Sequence, residues 1–144
     1  MSQTKPQTLA KSIRIVGLAI TTNEKSAQAD IGGLWMRAGA AGLLRHDAAN
    51  YGVYKNYQGD RHGEYTVVVG SESEAKAKDD QVVCEIPAAE YQTWSGEGPA
   101  AQVAGQAWTH VWQNLDDKRA YTLDFERHEG SPEHTKMSLY IATK

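Results

Sequence analysis

RAYTLDFERHE, residues 119–129, is the stretch on which the reading of the chain turns. Alternate residues of a β-strand point to opposite faces. Tyr121, Leu123 and Phe125 therefore share one face, and Thr122, Asp124 and Glu126 share the other. The first set is what a core takes up. The second places two carboxylates at i and i+2 in the best-patterned strand of the sequence. Such a face is either solvated or lines a cleft for something positively charged.

The segments around this strand repeat one order. Upstream, Val103, Ala107, Trp108, Val111, Trp112 and Leu115 recur at helical spacing after Pro99, a residue well placed at a helix start. Downstream, a turn rich in Gly130, Ser131 and Pro132 leads to TKMSLYIATK (135–144), in which Met137, Leu139 and Ile141 alternate. The same order occurs earlier in the chain. IRIVGLAI (13–20) predicts a strand, and Ile31, Leu34, Trp35 and Ala38 mark a helix face between about Ser26 and Leu44. YGVYKNY (51–57) and EYTVVVG (64–70) predict two strands around the turn Gly59–Gly63. Between the two units, SESEAKAKDD (71–80) reads as a solvated loop, and QVVCEIP (81–87) with Tyr91–Ser95 as a hairpin. Trp35 is expected to correspond to Trp112, and Val67 and Val69 to Leu139 and Ile141.

The predicted fold class is α+β, with tandem strand-helix-strand-strand modules at about 13–70 and 81–144. They are expected to build an eight-stranded antiparallel sheet with two helices on one face and a ligand cleft at the module junction. Residues 1–12 read as a disordered polar tail and 13–144 as one domain. Leu123 and Phe125 are expected to face the helices. Asp124 and Glu126 are expected to face the cleft on the opposite side, with Tyr54 from the matching strand, Trp94, and Tyr140 from the last strand. Trp35 and Trp108 have indoles long enough to reach the junction.

Composition restricts what such a cleft can hold. The net charge is −3 over 144 residues, with no lysine or arginine cluster, which argues against direct nucleic-acid binding. One cysteine excludes a disulfide framework and a thiolate metal cluster. The polar N-terminus is no signal peptide, and no apolar run reaches membrane-spanning length, so a cytoplasmic protein is expected. No cofactor or metal motif stands out. His128, Glu129, Glu133 and His134 match no metal-ligand spacing, and a polar hairpin turn accounts for them. Four Trp and seven Tyr against a single Phe give nearly every ring a polar tip, a bias useful to a binding cleft. A carboxylate among such rings is unfavourable unless compensated, and an organic cation compensates it by charge and by stacking. The residues alone leave open a second arrangement, in which Glu126 pairs with Arg119 or Lys136 at a wet surface.

Four segments resemble the GyrI-like effector-binding domain, the drug-binding module of bacterial AraC-type and related transcription regulators. They are DIGGLWMR (30–37), YGVYKNYQGDRHGEYTVVVG (51–70), IPAAEYQTWSGEGP (86–99) and RAYTLDFERHE (119–129). With the duplicated order of elements, the resemblance covers about residues 13–143. It implies a ligand pocket at the module junction, in which Glu126 contacts cationic or lipophilic ligands and Tyr140 takes part. Only a polar tail precedes residue 13, so the chain is expected to be a stand-alone form without a DNA-binding domain. The expected function is binding of amphipathic cationic small molecules, without catalysis. The alternatives are a hydrolase using Glu126 as base or nucleophile, and a protein-interaction module such as a gyrase inhibitor. If Glu126 is an uncompensated buried charge, Glu126→Gln is expected to leave stability unchanged or higher.

Overall fold

The β-branched runs of the sequence become the inner strands of one sheet. A computed structural model of the chain describes residues 4–59 and 62–144. Residues 1–3 of the expected tail, and Asp60 and Arg61 of the expected turn, lie outside the described residues. The order of elements begins β1 (Thr4–Leu9), β2 (Ile13–Thr22), α1 (Ala27–Ala40), β3 (Asn50–Lys55), β4 (Tyr65–Glu72) and β5 (Val82–Ile86). It continues with β6 (Ala89–Gly98), α2 (Ala100–Asn114), a 3-10 turn (Asp116–Lys118), β7 (Leu123–Ser131) and β8 (His134–Ile141). The strands form an eight-stranded antiparallel sheet in the order β1-β6-β8-β7-β3-β4-β2-β5. The units β2-α1-β3-β4 and β6-α2-β7-β8 mirror each other about the β3–β7 seam, with β5 flanking β2 as β1 flanks β6.

Both helices lie on one face, as expected. Leu34 and Ala38 of α1 pack with Val67 and Val69, and Val103, Ala107 and Val111 of α2 with Met137, Leu139 and Ile141. The ladder places these side chains on the same side, because Val69, Gly52, Glu126, Leu139 and Trp94 are successive neighbours across five strands. Among the described residues no helix is long and apolar enough to cross a membrane.

Three expectations are corrected. The segment expected as a tail forms β1 over Thr4–Leu9, paired with β6 from Thr4↔Trp94 to Leu9↔Ala89. Its stabilising interaction is the backbone ladder, which needs no apolar side chain, and a sheet edge tolerates Pro6. The expected hairpin of 81–87 with 91–95 does not form either. β5 pairs with β2, whereas β6 pairs with β1 and β8, and only Pro87 and Ala88 separate β5 from β6. Strands near opposite ends of the sheet are thus joined by two residues, so the sheet curls back on itself. Gly17 and Gly70 face each other in the β2–β4 ladder, where a Cβ on either would run into the other strand's backbone.

The curl produces the third correction. Its inner face is filled by Tyr51, Val53, Ile86, Tyr91, Phe125 and Tyr140, with the Phe125 and Tyr140 rings stacked at 4.3 Å and 7°. Phe125 therefore points into the curl and away from the helices. Asp124 and Glu126 lie on the helix face, opposite to expectation. Both faces of β7 are buried, so hydrophobic alternation could not tell which one the helices cover.

Candidate functional site: a roofed carboxylate on the sheet seam

Helix α1 packs on β2 and β4, and α2 on β6 and β8, so neither lies over the seam strands β3 and β7. Side chains roof the seam instead. Leu34 and Ala107 anchor the two helices in the core, and the next residue of each, Trp35 and Trp108, leans over β3 and β7. Gly52 on β3 makes room for this roof. A Cβ there would meet Trp35 Cζ2 at 3.2 Å and Glu126 Oε1 at 3.6 Å. Trp35 is thus matched in role by Trp108, one helical turn before the expected Trp112, which is 46% exposed.

Glu126 sits beneath this roof, opposite Gly52 and only 3% exposed. Its Oε2 accepts hydrogen bonds from the Tyr54 hydroxyl (2.9 Å) and Trp108 Nε1 (2.6 Å). Its Oε1 lies 2.8 Å from His128 Nε2. The Trp35 ring meets the His128 ring edge-on at 5.0 Å, and Tyr54 and Trp108 stand 4.9 Å apart. Burial pushes the Glu126 carboxyl up, but the hydrogen bond and charge of His128, with the Trp108 and Tyr54 donors, outweigh it and hold the group below the usual glutamate range. Burial first, and the neighbouring carboxylate second, push the Tyr54 phenol well up, so it remains a donor. Among the described residues no lysine or arginine pairs with Glu126.

Two residues along the same face, Asp124 is fully buried and belongs to a separate network. Its Oδ2 accepts from Arg119 Nη2 (2.9 Å) and the Tyr57 hydroxyl (2.6 Å), and its Oδ1 from the Ala142 amide (2.8 Å). Burial pushes the Asp124 carboxyl up and these donors pull it back only in part. For Arg119, burial lowers and Asp124 more than restores the guanidinium's proton affinity. Arg119 is 2% exposed, with its Cζ 4.3 Å from the Tyr121 ring centroid, 5.4 Å from Tyr57 and 5.5 Å from Trp108. Tyr121 reaches this position through a left-handed backbone at φ 56°.

Of the expected site residues, the structure brings Glu126, Tyr54, Trp35 and Trp108 together. It does not bring Tyr140, which stacks on Phe125 inside the curl, on the other face of the sheet. Trp94 shares the helix face but packs under α2 with Met137 and Leu139. It lines a separate cavity of about 480 Å³ with Gly105 and His110. A larger cavity of about 700 Å³, lined by His110, Asn114, Leu115 and Lys118, is likewise not lined by Glu126. His128 belongs to the site and not to the hairpin turn. The i+2 alternation Asp124, Glu126, His128 is the signal that would have found it. Arg119 pairs with Asp124 rather than Glu126.

The arrangement is a carboxylate kept ionised out of water, edged by indole, phenol and imidazole. Such a group attracts a delocalised cation. With its proton affinity lowered, it is a weaker base than a free glutamate.

Known proteins of the same fold carry this comparison further. The integron cassette protein VCH_CASS2 from the mobile metagenome of Vibrio cholerae is 26% identical, with a TM-score of 0.81 over 96% of this chain and 95% of that one. SAV2435, whose structure was solved bound to tetraphenylphosphonium, shares the fold at 17% identity and a TM-score of 0.78, over 99% and 94% of the two chains. YobU of Bacillus subtilis (strain 168), named as a candidate transcriptional regulator, is 26% identical over 109 residues, or 68% of this chain; the match spans 66% of YobU's length. The fold is the GyrI-like effector-binding fold, and the family model for Cass2, integron-associated effector binding protein, matches residues 9–143: the chain belongs to that family.

Proposed function

We propose that the chain binds amphipathic organic cations at Glu126 and performs no chemistry on them. The observation that carries this reading is a buried glutamate held ionised, with aromatic rings around it and no lysine or arginine beside it. Membership of an effector-binding family and the tetraphenylphosphonium complex of SAV2435 support it. The lowered proton affinity of Glu126 argues against its use as a general base. At 3% exposure the carboxylate is closed off, so a ligand reaches it when a roofing ring turns aside. Trp35 and Trp108, both only half-buried, are the rings placed to do so.

Titration calorimetry with tetraphenylphosphonium tests the reading. Saturable binding is expected, with the ligand recovered unchanged by mass spectrometry. Glu126→Gln should weaken it by about 1–3 kcal/mol, the range for losing an interaction with a charged group. Equal affinity in the variant, absence of binding, or a mass-shifted product would each overturn the proposal.

A further inference from the structure

One ring covers two opposite poles. Trp108 donates to the Glu126 carboxylate at 2.6 Å, and the same indole stands 5.5 Å from the Arg119 guanidinium. Turning it aside to admit a ligand at Glu126 also removes one of the three rings around Arg119, on the side that faces the carboxylate, while Tyr121 at 4.3 Å and Tyr57 at 5.4 Å stay in place. The charge of that guanidinium is already matched by Asp124 at 2.9 Å and accompanied by Asp116 at 3.7 Å. Its hydrogen bonding is incomplete, however. Nη2 donates to Asp124 and to the Tyr57 hydroxyl, whereas the buried Nε–H has no acceptor among the described residues. An unmatched donor on a charged group out of water is unfavourable, and a ligand oxygen placed against it removes the deficit.

We propose that Arg119 is a specificity-determining residue, and that the preferred ligands are aromatic cations carrying a neutral hydrogen-bond acceptor, such as an ester, amide or ether oxygen. The inference rests on the cation-binding reading of Glu126. The cationic ring system lies against Glu126, Tyr54 and Trp35, and the acceptor oxygen takes the Arg119 Nε–H. A carboxylate in the acceptor's place is disfavoured, because Asp124 at 2.9 Å and Asp116 at 3.7 Å already match the charge of the guanidinium. Arg119 is thus a donor for a neutral group, although it is formally a cation.

Three xanthene dyes with one cationic core test this by fluorescence anisotropy on the full chain at neutral pH. One carries a plain pendant phenyl, one the ortho methyl ester of that phenyl, and one the free acid. The ester should bind roughly tenfold tighter than the plain phenyl dye, the increment of one hydrogen bond to a charged donor. The free acid should bind more weakly than the ester. Arg119→Lys keeps a positive charge for Asp124 but lacks the Nε–H, so the ester-to-phenyl affinity ratio measured within that variant should fall to about one. Should that variant not fold, the ester-to-phenyl ratio on the unaltered protein decides alone. Binding of ester and phenyl dyes within about twofold of each other overturns the role of Arg119 and leaves Glu126 binding intact. Failure of all three dyes to bind overturns the cation-binding reading, and this inference with it.

Discussion

Replacing Glu126 by Gln tests whether the buried carboxylate strains the fold or supports it. Read from composition alone, a charge among rings should be a burden, and its removal neutral or stabilising. The structure reverses the sign. Glu126 takes up donors from Tyr54 (2.9 Å) and Trp108 (2.6 Å) and contacts His128 at 2.8 Å. Its carboxyl lies below the usual range, so the folded protein favours the anion more than water does. Glutamine can keep its carbonyl oxygen on Tyr54 and Trp108, but all three contacts lose their charge assistance. That difference is about 1 kcal/mol per bond, partly offset by the relief of burying a neutral group. A net loss of about 1–3 kcal/mol is expected, or about 1 M in the urea midpoint for a chain of this size. A carboxyl whose folded pKa is depressed adds stability that is present above its unfolded value and disappears as pH falls through the folded one. The gap between parent and variant should therefore be full at pH 7 and shrink as the pH drops below about 4.3, the ordinary glutamate value. Urea unfolding followed by tryptophan fluorescence across that range measures it. A variant as stable as the parent at neutral pH, or a gap that does not change with acid, refutes the reasoning.

Asp124→Asn should be the more damaging change to the fold. It leaves the 2%-exposed Arg119 with only the more distant Asp116 at 3.7 Å and costs about 3–5 kcal/mol, readable as a drop in thermal midpoint; a loss under about 1 kcal/mol would contradict the ion pair. Gly52→Ala brings a methyl group to 3.2 Å from Trp35 Cζ2. It should cost at most about 1–3 kcal/mol of stability while weakening tetraphenylphosphonium measurably, as calorimetry would show. Tyr140→Phe keeps the 4.3 Å stack on Phe125 and should leave cation affinity unchanged, whereas a tenfold loss in calorimetry would return Tyr140 to the site.

The sequence made the strands after residue 12 and the placing of Asp124 with Glu126 on one face legible, because period-2 alternation is a local property. Which face the helices cover was not legible. That depends on the curl, and the curl depends on two residues joining strands that pair elsewhere. Once the sheet curls, Phe125 is as buried among Tyr51, Tyr91 and Tyr140 as any residue under a helix. The strand β1 was hidden for a related reason. TKPQTL has no apolar alternation, and its order comes from backbone pairing with β6. Arg119 escaped because the left-handed turn at Tyr121 aims it at Asp124, five residues on, rather than along the strand. Trp108 is expected from the sequence to reach the junction and does contact Glu126, but its equivalence with Trp35 follows from the buried positions Leu34 and Ala107 beside them.

A carboxylate at the centre of a sheet is tolerable here because its roof is made of side chains. On the binding reading, access to Glu126 requires turning a ring and leaves the backbone of α1 and α2 in place. Moving Trp108 breaks one hydrogen bond to a charged acceptor, about 1.5–3 kcal/mol, and its contact with Tyr54, about 0.5–1.5 kcal/mol. An open state roughly 3 kcal/mol above the closed one is populated at less than about 1% and weakens apparent affinity by the same factor. A small ammonium ion cannot overcome that cost, since it loses strong hydration and gains little ring contact. A broad aromatic cation can, because it replaces the displaced indole with its own faces and sets a weakly hydrated charge against the anion. The same requirement accounts for a tyrosine at 54 and a tryptophan at 108 in place of phenylalanine. Their O–H and N–H tips satisfy Glu126 while the site is closed, and on the binding reading their faces meet the ligand when it opens.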